Sequence, residues 1–335
     1  FKIETMGFNI SKPFEIKKLL KIAEFPVFEN ISDRSIIADL YRPGKRTGIY
    51  ILHFKNNDYY IGQAIDVVKR FLQHSKTHDD IENISFKRFS IKLLNTTEKK
   101  IISLFESRGV KLRNISLTSI PKGDSDFDIL IPLDLQVKWI KGIKIKFNNT
   151  RRIDEVQRRK YEKKFLLMSV DKNFGLNILK VYKKYVSECI INPELTEFFY
   201  WSVSCLPLDN SRDRIYSLLS IYWQEVFQMW VDKKTGINYF QVRLAKSPFS
   251  SRENLIKDLK KTIPSIRYDD NSFYETGGTD QFCLWVVGTK DIMVLLKNKD
   301  IIKAIRLLNI RLMKKGVCVP RRFHCYDLAT TLLSK

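Results

Sequence analysis

Two short apolar runs, GIYILHF at 48–54 and YYIG at 59–62, stand on either side of KNND. β-Branched and aromatic residues fill both runs, which favours strands, and the polar tetrapeptide between them is long enough only for a turn, so the pair must be a hairpin. Side chains alternate along a strand, so Tyr50, Leu52 and Phe54 share one face while Ile49, Ile51 and His53 share the other. A three-residue loop, Asn56–Asp58, pairs Lys55 with Tyr59 and Phe54 with Tyr60, which puts Tyr60 on the face of Tyr50. Gly48 and Gly62, without Cβ atoms, open the backbone to close approach at that end.

The residues around the hairpin predict a small α/β unit. Val67, Val68, Phe71 and Leu72 have helical spacing between Asp66 and Ser75. ISFKRFSIKLL (84–94) reads as a third strand, and NTTEKKIISLFESRG (95–109) as a helix capped by Asn95. That helix buries Ile101, Ile102 and Phe105 and ends before Gly109. Upstream, FEIKKLLKIAEF and RSIIADLYR predict one or two short helices, closed off by RPGKR.

Downstream, residues 119–135 read as a loop leading into a short strand. Between Gln136 and Phe165, 11 Lys and Arg face three acids, a net charge of +8, and Trp139, Phe147, Tyr161 and Phe165 are interleaved with them. Such a segment is either a solvated joining helix or a nucleic-acid track whose rings stack on bases. The remainder alternates strands (FFYWSVSCLP, EVFQMWV, INYFQVRLA, QFCLWVVG) with helices (ENLIKDLKKTI, KDIIKAIRLLNIRLMKKG), and DKKTG marks a hairpin. The expected organisation is a helical extension at 1–46, a small α/β domain at 47–118, a basic connector at 119–170, and an α+β domain with a mainly antiparallel sheet at 171–335.

The whole chain carries 59 Lys and Arg against 37 Asp and Glu, a net charge of +22, which points to a polyanionic partner, nucleic acid first. No stretch approaches the roughly 18–20 apolar residues of a membrane span. The sequence opens at Phe1 rather than Met, so residues ahead of it are expected, and FKIETMGFNI lacks the uninterrupted apolar segment of a secretory signal. Five scattered cysteines without a C-x-x-C pattern suit reduced thiols and a cytoplasmic location. Zinc at Cys318, His324 and Cys325 is disfavoured.

Several polar residues have ordinary explanations one at a time. Arg70 and His74, at i and i+4, are neighbours on one helix face and fit a solvated surface. Asn95 and Glu98 have the spacing of a capping box, and Asn114 suits a turn. In sequence order, however, GIY at 48–50, YIG at 60–62, Arg70, His74, Glu98 near a helix start and Asn114 resemble the GIY-YIG nuclease family, over about Thr47 to Ile115. The resemblance implies a small α/β nuclease domain, with a three-stranded antiparallel sheet flanked by helices.

It also implies metal-dependent hydrolysis of a nucleic-acid phosphodiester, DNA before RNA. Glu98 would hold one Mg²⁺ (or Mn²⁺), Arg70 would brace the phosphoryl oxygens, and Tyr50 would take the proton of the attacking water. That phenol needs the metal, Arg70 and His74 to lower its pKa or to relay the proton. Tyr60 would orient water or phosphate, and Asn114 would fix Glu98 or the nearby backbone. Glu106 remains an alternative ligand, although Ile101 and Ile102 following Glu98 match the family helix better; the role of His78 stays open. Targets in this family are usually chosen by an attached part, here through Lys138, Arg151, Arg152, Arg158, Arg159, Arg321 and Arg322. Family habit points to an endonuclease acting in defence against foreign DNA. An RNA-cleaving effector and a non-catalytic binding protein on a nuclease scaffold are the alternatives, and the oligomeric state is open.

Overall fold

In the computed structural model the hairpin forms, with its turn one residue earlier than expected. Leu52, not Phe54, faces Tyr60, and Tyr50 faces Gly62. The Phe54 amide bonds the Asp58 carbonyl at 3.0 Å, so Lys55–Asn57 is the loop, with Asn57 in the left-handed region at φ 61°. Asn tolerates that conformation better than most residues with a side chain, which fixes the turn there. The pairing moves by two residues, an even shift, so Tyr60 keeps the face of Tyr50.

The structure describes residues 16–33, 37–115, 117–121, 125–147, 159–171, 175–269 and 274–334. Contacts divide the chain into two units, 1–123 and 124–335, and the expected extension and connector fall inside them. The first unit runs α1 (Ile16–Ile22), β1 (Glu29–Asn30), α2 (Ile37–Leu40), β2 (Gly48–Phe54), β3 (Tyr59–Ala64), α3 (Val67–His74), β4 (Ile81–Arg88) and α4 (Leu94–Ser107). Its antiparallel sheet has four strands, not three, in the order β1-β4-β2-β3. The extra strand comes from the upstream segment, where Glu29 and Asn30 pair with Ile84 and Asn83.

Both faces of this sheet are buried. Tyr50, Leu52 and Phe54 pack with Val67, Val68 and Phe71 of α3, while Ile49, Ile51 and Ile61 pack with Leu19 and Leu20 of α1 and with Ile101, Ile102 and Phe105 of α4. Helix α4 starts after a 3₁₀ turn at Ile91–Leu93, so Asn95 lies inside its first turn and is not its cap. The capping box with Glu98 is therefore not made, and the third strand stops at Arg88. Gly109 closes the helix at φ 79°, as expected of a residue beyond a helix end.

In the second unit, residues expected as loop and strand are helical, at Asp126–Leu130 and Leu133–Ile140. The Asp128 carboxylate accepts from the Ser125 amide (3.0 Å) and hydroxyl (2.8 Å), a local device that starts the first of them. Trp139, Phe147, Tyr161 and Phe165 pack against the core of this unit. Its sheet is antiparallel: β5 (Trp201–Val203), β6 (Leu208–Asp209), β7 (Asp213–Ile221), β8 (Gln224–Asp232), β9 (Asn238–Ala245), β10 (Arg267–Asp269) and β11 (Gln281–Val287). The order is β10-β11-β9-β8-β7-β5, with β6 beside β7. The long helix Lys299–Lys314 lies on β9, and the helix Gly175–Cys189 joins the same core. Among the described residues no helix is long and apolar enough to cross a membrane. Arg151, Arg152 and Arg158 lie outside the described residues.

Candidate active site

Strand β3 is an edge of the first sheet, and a cleft of about 360 Å³ opens around it. Tyr50, Tyr60, Arg70 and Glu98 line this cleft together with Gly62, Gln63, Asn95 and Lys99. They arrive from three directions. Tyr50 comes from the central strand on the α3 side of the sheet, Arg70 from α3, and Glu98 from α4 on the other side.

Gly62 leaves the space that the Tyr50 phenol occupies beside the cleft. A Cβ at that position would sit 2.3 Å from the Tyr50 hydroxyl oxygen and 2.9 Å from the Tyr60 ring. The close approach predicted for this glycine is thus made by a phenol of the same hairpin. Gly48 is closed in another way, since a Cβ there would meet the Lys87 carbonyl of β4 at 2.1 Å.

The Tyr50 hydroxyl lies 2.8 Å from His74 Nε2 and accepts from Arg70 Nε at 3.4 Å. The i, i+4 spacing of Arg70 and His74 puts both on the side of α3 facing the phenol, so neither belongs to a plain solvated face. Tyr60 stacks against Tyr50, with ring centres 6.2 Å apart, and lies 4.6 Å from the His74 ring. His78 continues this aromatic row at 6.2 Å from His74 and 5.4 Å from Phe54.

The electrostatics follow from burial. Burial first, and then Tyr60, pushes the Tyr50 phenol well above its usual range, against the opposing pull of Arg70. Tyr60 is raised for the same first reason. His74 is lowered to about 4, by burial first and then by the charges of Arg70 and His78, so its imidazole is neutral at neutral pH. In the tautomer protonated at Nδ1, its Nε2 accepts the phenol proton. Burial raises Glu98, which hydrogen bonds from the Gln63 backbone and side chain and the charges of Arg70 and Lys99 hold back. Of the groups expected to lower the phenol or relay its proton (the metal, Arg70 and His74), Arg70 pulls it down and burial outweighs that pull.

The two glutamates have different surroundings. Glu106 accepts from the amides of Ser119 (2.9 Å) and Ile120 (3.0 Å) and holds that loop, whereas Glu98 lines the cleft at 9 % exposure. Asn114 is buried and mimics a strand neighbour of β3: its amide donates to the Ile61 carbonyl (2.6 Å) and its oxygen accepts from the Ile61 amide (3.0 Å). It fixes the backbone one residue before Gly62. Gln63, which also donates to Asn95 at 2.7 Å, and Lys99 are cleft residues that the sequence pattern missed. Each directly adjoins a motif residue, and adjacency alone is too common a signal to select them.

Among the described residues no group of three or more His, Cys, Asp or Glu could hold a metal ion. Glu98 is the acidic residue lining the cleft, and one hard oxygen donor with space beside it fits a Mg²⁺-type ion, which keeps several waters. Elsewhere, Lys138 pairs with Asp134 at 3.1 Å, and Arg159 is exposed. Trp139, offered by the sequence as a base-stacking ring, instead carries the Arg306 guanidinium 4.1 Å from its centre and packs inward. Cys318 contacts Ser202 and the Ser220 carbonyl, and His324 binds Glu197. No family model, curated protein or solved structure matches this chain.

Proposed function

We propose that the first unit is a metal-dependent endonuclease domain of the GIY-YIG type that hydrolyses phosphodiester bonds of DNA. One observation carries this reading: a phenol, a guanidinium and a carboxylate, supplied by β2, α3 and α4, line a single cleft. The net charge of +22 supports a polyanionic substrate.

A divalent cation on Glu98 would neutralise the scissile phosphate and stabilise the leaving oxygen. Arg70, always charged and forked, braces the phosphoryl oxygens as negative charge builds up on them. A phenol raised by burial is a poor base by itself, so the proton moves by relay: as Tyr50 Oη takes a proton from the attacking water, it passes its own to His74 Nε2. His74 is neutral at neutral pH, so Nε2 offers a lone pair, and its low pKa makes it a weak acceptor that holds the proton only in passing. Tyr60 orients the water or the phosphate, Gln63 holds the Glu98 carboxylate, and Asn114 keeps β3 in place beneath them.

The test is incubation with supercoiled plasmid, linear duplex, single-stranded DNA and RNA, in Mg²⁺ or in EDTA, using wild type, Glu98→Ala and Arg70→Ala. Scission of DNA that needs Mg²⁺ and is lost in both variants is the expected result. Cleavage that survives in both removes the residue assignment, cleavage of RNA alone changes the substrate, and binding without scission leaves a scaffold protein.

A further inference from the structure

The second unit contains a surface whose chemistry the nuclease reading does not use. Near one end of its sheet, segments joined by backbone bonds each carry an exposed large apolar side chain: Phe199 (54 %), Trp223 (56 %), Val317 (43 %) and, a few residues on, Phe323 (47 %). Backbone bonds hold the segments together, from the Cys318 amide to the Phe199 carbonyl (2.6 Å) and from the Val319 amide to the Tyr222 carbonyl (2.9 Å). Soluble proteins rarely leave such rings open in one place without using them.

Backbone strain is found at the same place. Phe198 (φ 68°) and Tyr222 (φ 56°) both hold left-handed backbone, which a bulky side chain avoids. Each is followed directly by an exposed ring, Phe199 and Trp223. Tyr222 and Trp223 form the two-residue turn between β7 and β8, a position where Asn or Gly is usual. Asn or Gly at position 222 would hold this backbone with less strain.

The charged groups that lie over the rings are cations. Arg321 lies 5.5 Å from the ring centres of both Phe198 and Phe199, and Arg322 lies 4.7 Å from Phe323. Lys160 and Tyr161 donate to the Arg322 carbonyl, which brings a further ammonium group to the edge. Of the acids close by, Glu197 is buried against His324, whereas Glu162 faces solvent.

We infer that this aromatic and guanidinium surface, Phe199, Trp223 and Phe323 with Arg321 and Arg322, binds unpaired nucleotides of single-stranded DNA. Flat rings stack on bases and the cations meet the phosphates, the combination by which single strands are held without reading sequence. A paired duplex hides its base faces and offers only phosphates. Aromatic and arginine side chains also anchor protein interfaces, and it is the net charge of +22 that favours a polyanion over a protein here. The inference rests on the nucleic-acid part of the proposed function and not on its chemistry.

The experiment measures binding by fluorescence anisotropy in EDTA, using the full chain with Glu98→Ala so that no strand is cut. The probes are a labelled DNA single strand, the same strand annealed to its complement, and the matching RNA strand. Replacing Phe199 and Trp223 by Leu removes the rings but keeps apolar surface. We expect the DNA single strand to bind roughly tenfold or more weaker for each ring removed, with the duplex unaffected. Trp223→Phe, which retains a ring, should bind close to wild type. Circular dichroism melting checks the fold of each variant, and where the double variant is unfolded the single Trp223→Leu chain carries the test. Unchanged single-strand binding by the Leu variants, an equal loss for duplex, or tighter binding of RNA would overturn the inference. Failure of the nuclease reading is scored separately, by plasmid cleavage.

Discussion

Each unit has a histidine beside a polar partner, half-buried in the first and buried in the second, and the two sites work out differently. His324 in the second unit is closed on both nitrogens: Nδ1 accepts from the Val203 amide (3.2 Å) and Nε2 lies 3.0 Å from the Glu197 carboxylate. Phe198, Trp201 and Tyr326 surround its ring, and its side chain is fully buried. His74 in the first unit has a phenol as its partner instead, and that phenol borders an open cleft. Burial alone therefore does not mark a reactive site. A buried group is available for proton transfer when its partner can itself exchange a proton and reach solvent, whereas a group closed by a backbone amide and a carboxylate serves packing.

Mutations sharpen this contrast, and the largest effect belongs to the closed site. His324→Leu removes the Nε2 partner of the buried Glu197 carboxylate, and breaking a buried pair in this way costs about 3–5 kcal/mol. Urea unfolding of the second unit should show that loss; a variant as stable as wild type would mean that the closed pair is not structural. Arg70→Ala should reverse the pattern, lowering the rate of DNA cleavage by roughly 10² to 10³ while the urea midpoint stays where it was.

Gly62→Ala lies between these two. The added methyl collides with the Tyr50 hydroxyl and the Tyr60 ring, so overpacking should cost about 1–3 kcal/mol and cleavage should fall as the phenol is pushed off His74. Structure determination of that variant, or loss of the hydrogen-bonded His74 signal by NMR, checks the displacement. The last effect is in pH. His74 titrates near 4 when folded and near its ordinary 6.5 when unfolded, so protons favour the unfolded chain. Its contribution to stability is complete above pH 6.5 and declines as pH falls toward 4. An NMR titration of the imidazole should place its midpoint near 4, and in Arg70→Ala that midpoint should rise.

How far each feature could be read from the chain depended on the range of the interaction behind it. The hairpin, the α3 stripe and the buried face of α4 are written in local periodicity, which depends on neighbours two to four residues away. The turn slipped because both KNN and NND satisfy composition, and only the preference of Asn57 for positive φ separates them. The fourth strand was hidden because two residues, Glu29 and Asn30, carry no alternation to detect. Asn95 was assigned to a cap its spacing allowed, but a preceding 3₁₀ turn moved it inside the helix and gave its side chain to Gln63.

The sequence by itself determined that a two-tyrosine hairpin is followed by a helix carrying Arg70 and His74 on one side, and that the chain is strongly basic. Tertiary structure alone decided that Glu98 lines the cleft while Glu106 ties down a loop, because that outcome depends on which backbone amides fold against each carboxylate. It also decided that Tyr50 lies over Gly62 and lines the cleft, and that Trp139 turns inward while Trp223 turns out. Those results come from contacts between distant segments, whose free energies are settled by shape and burial and leave no periodic mark along the chain.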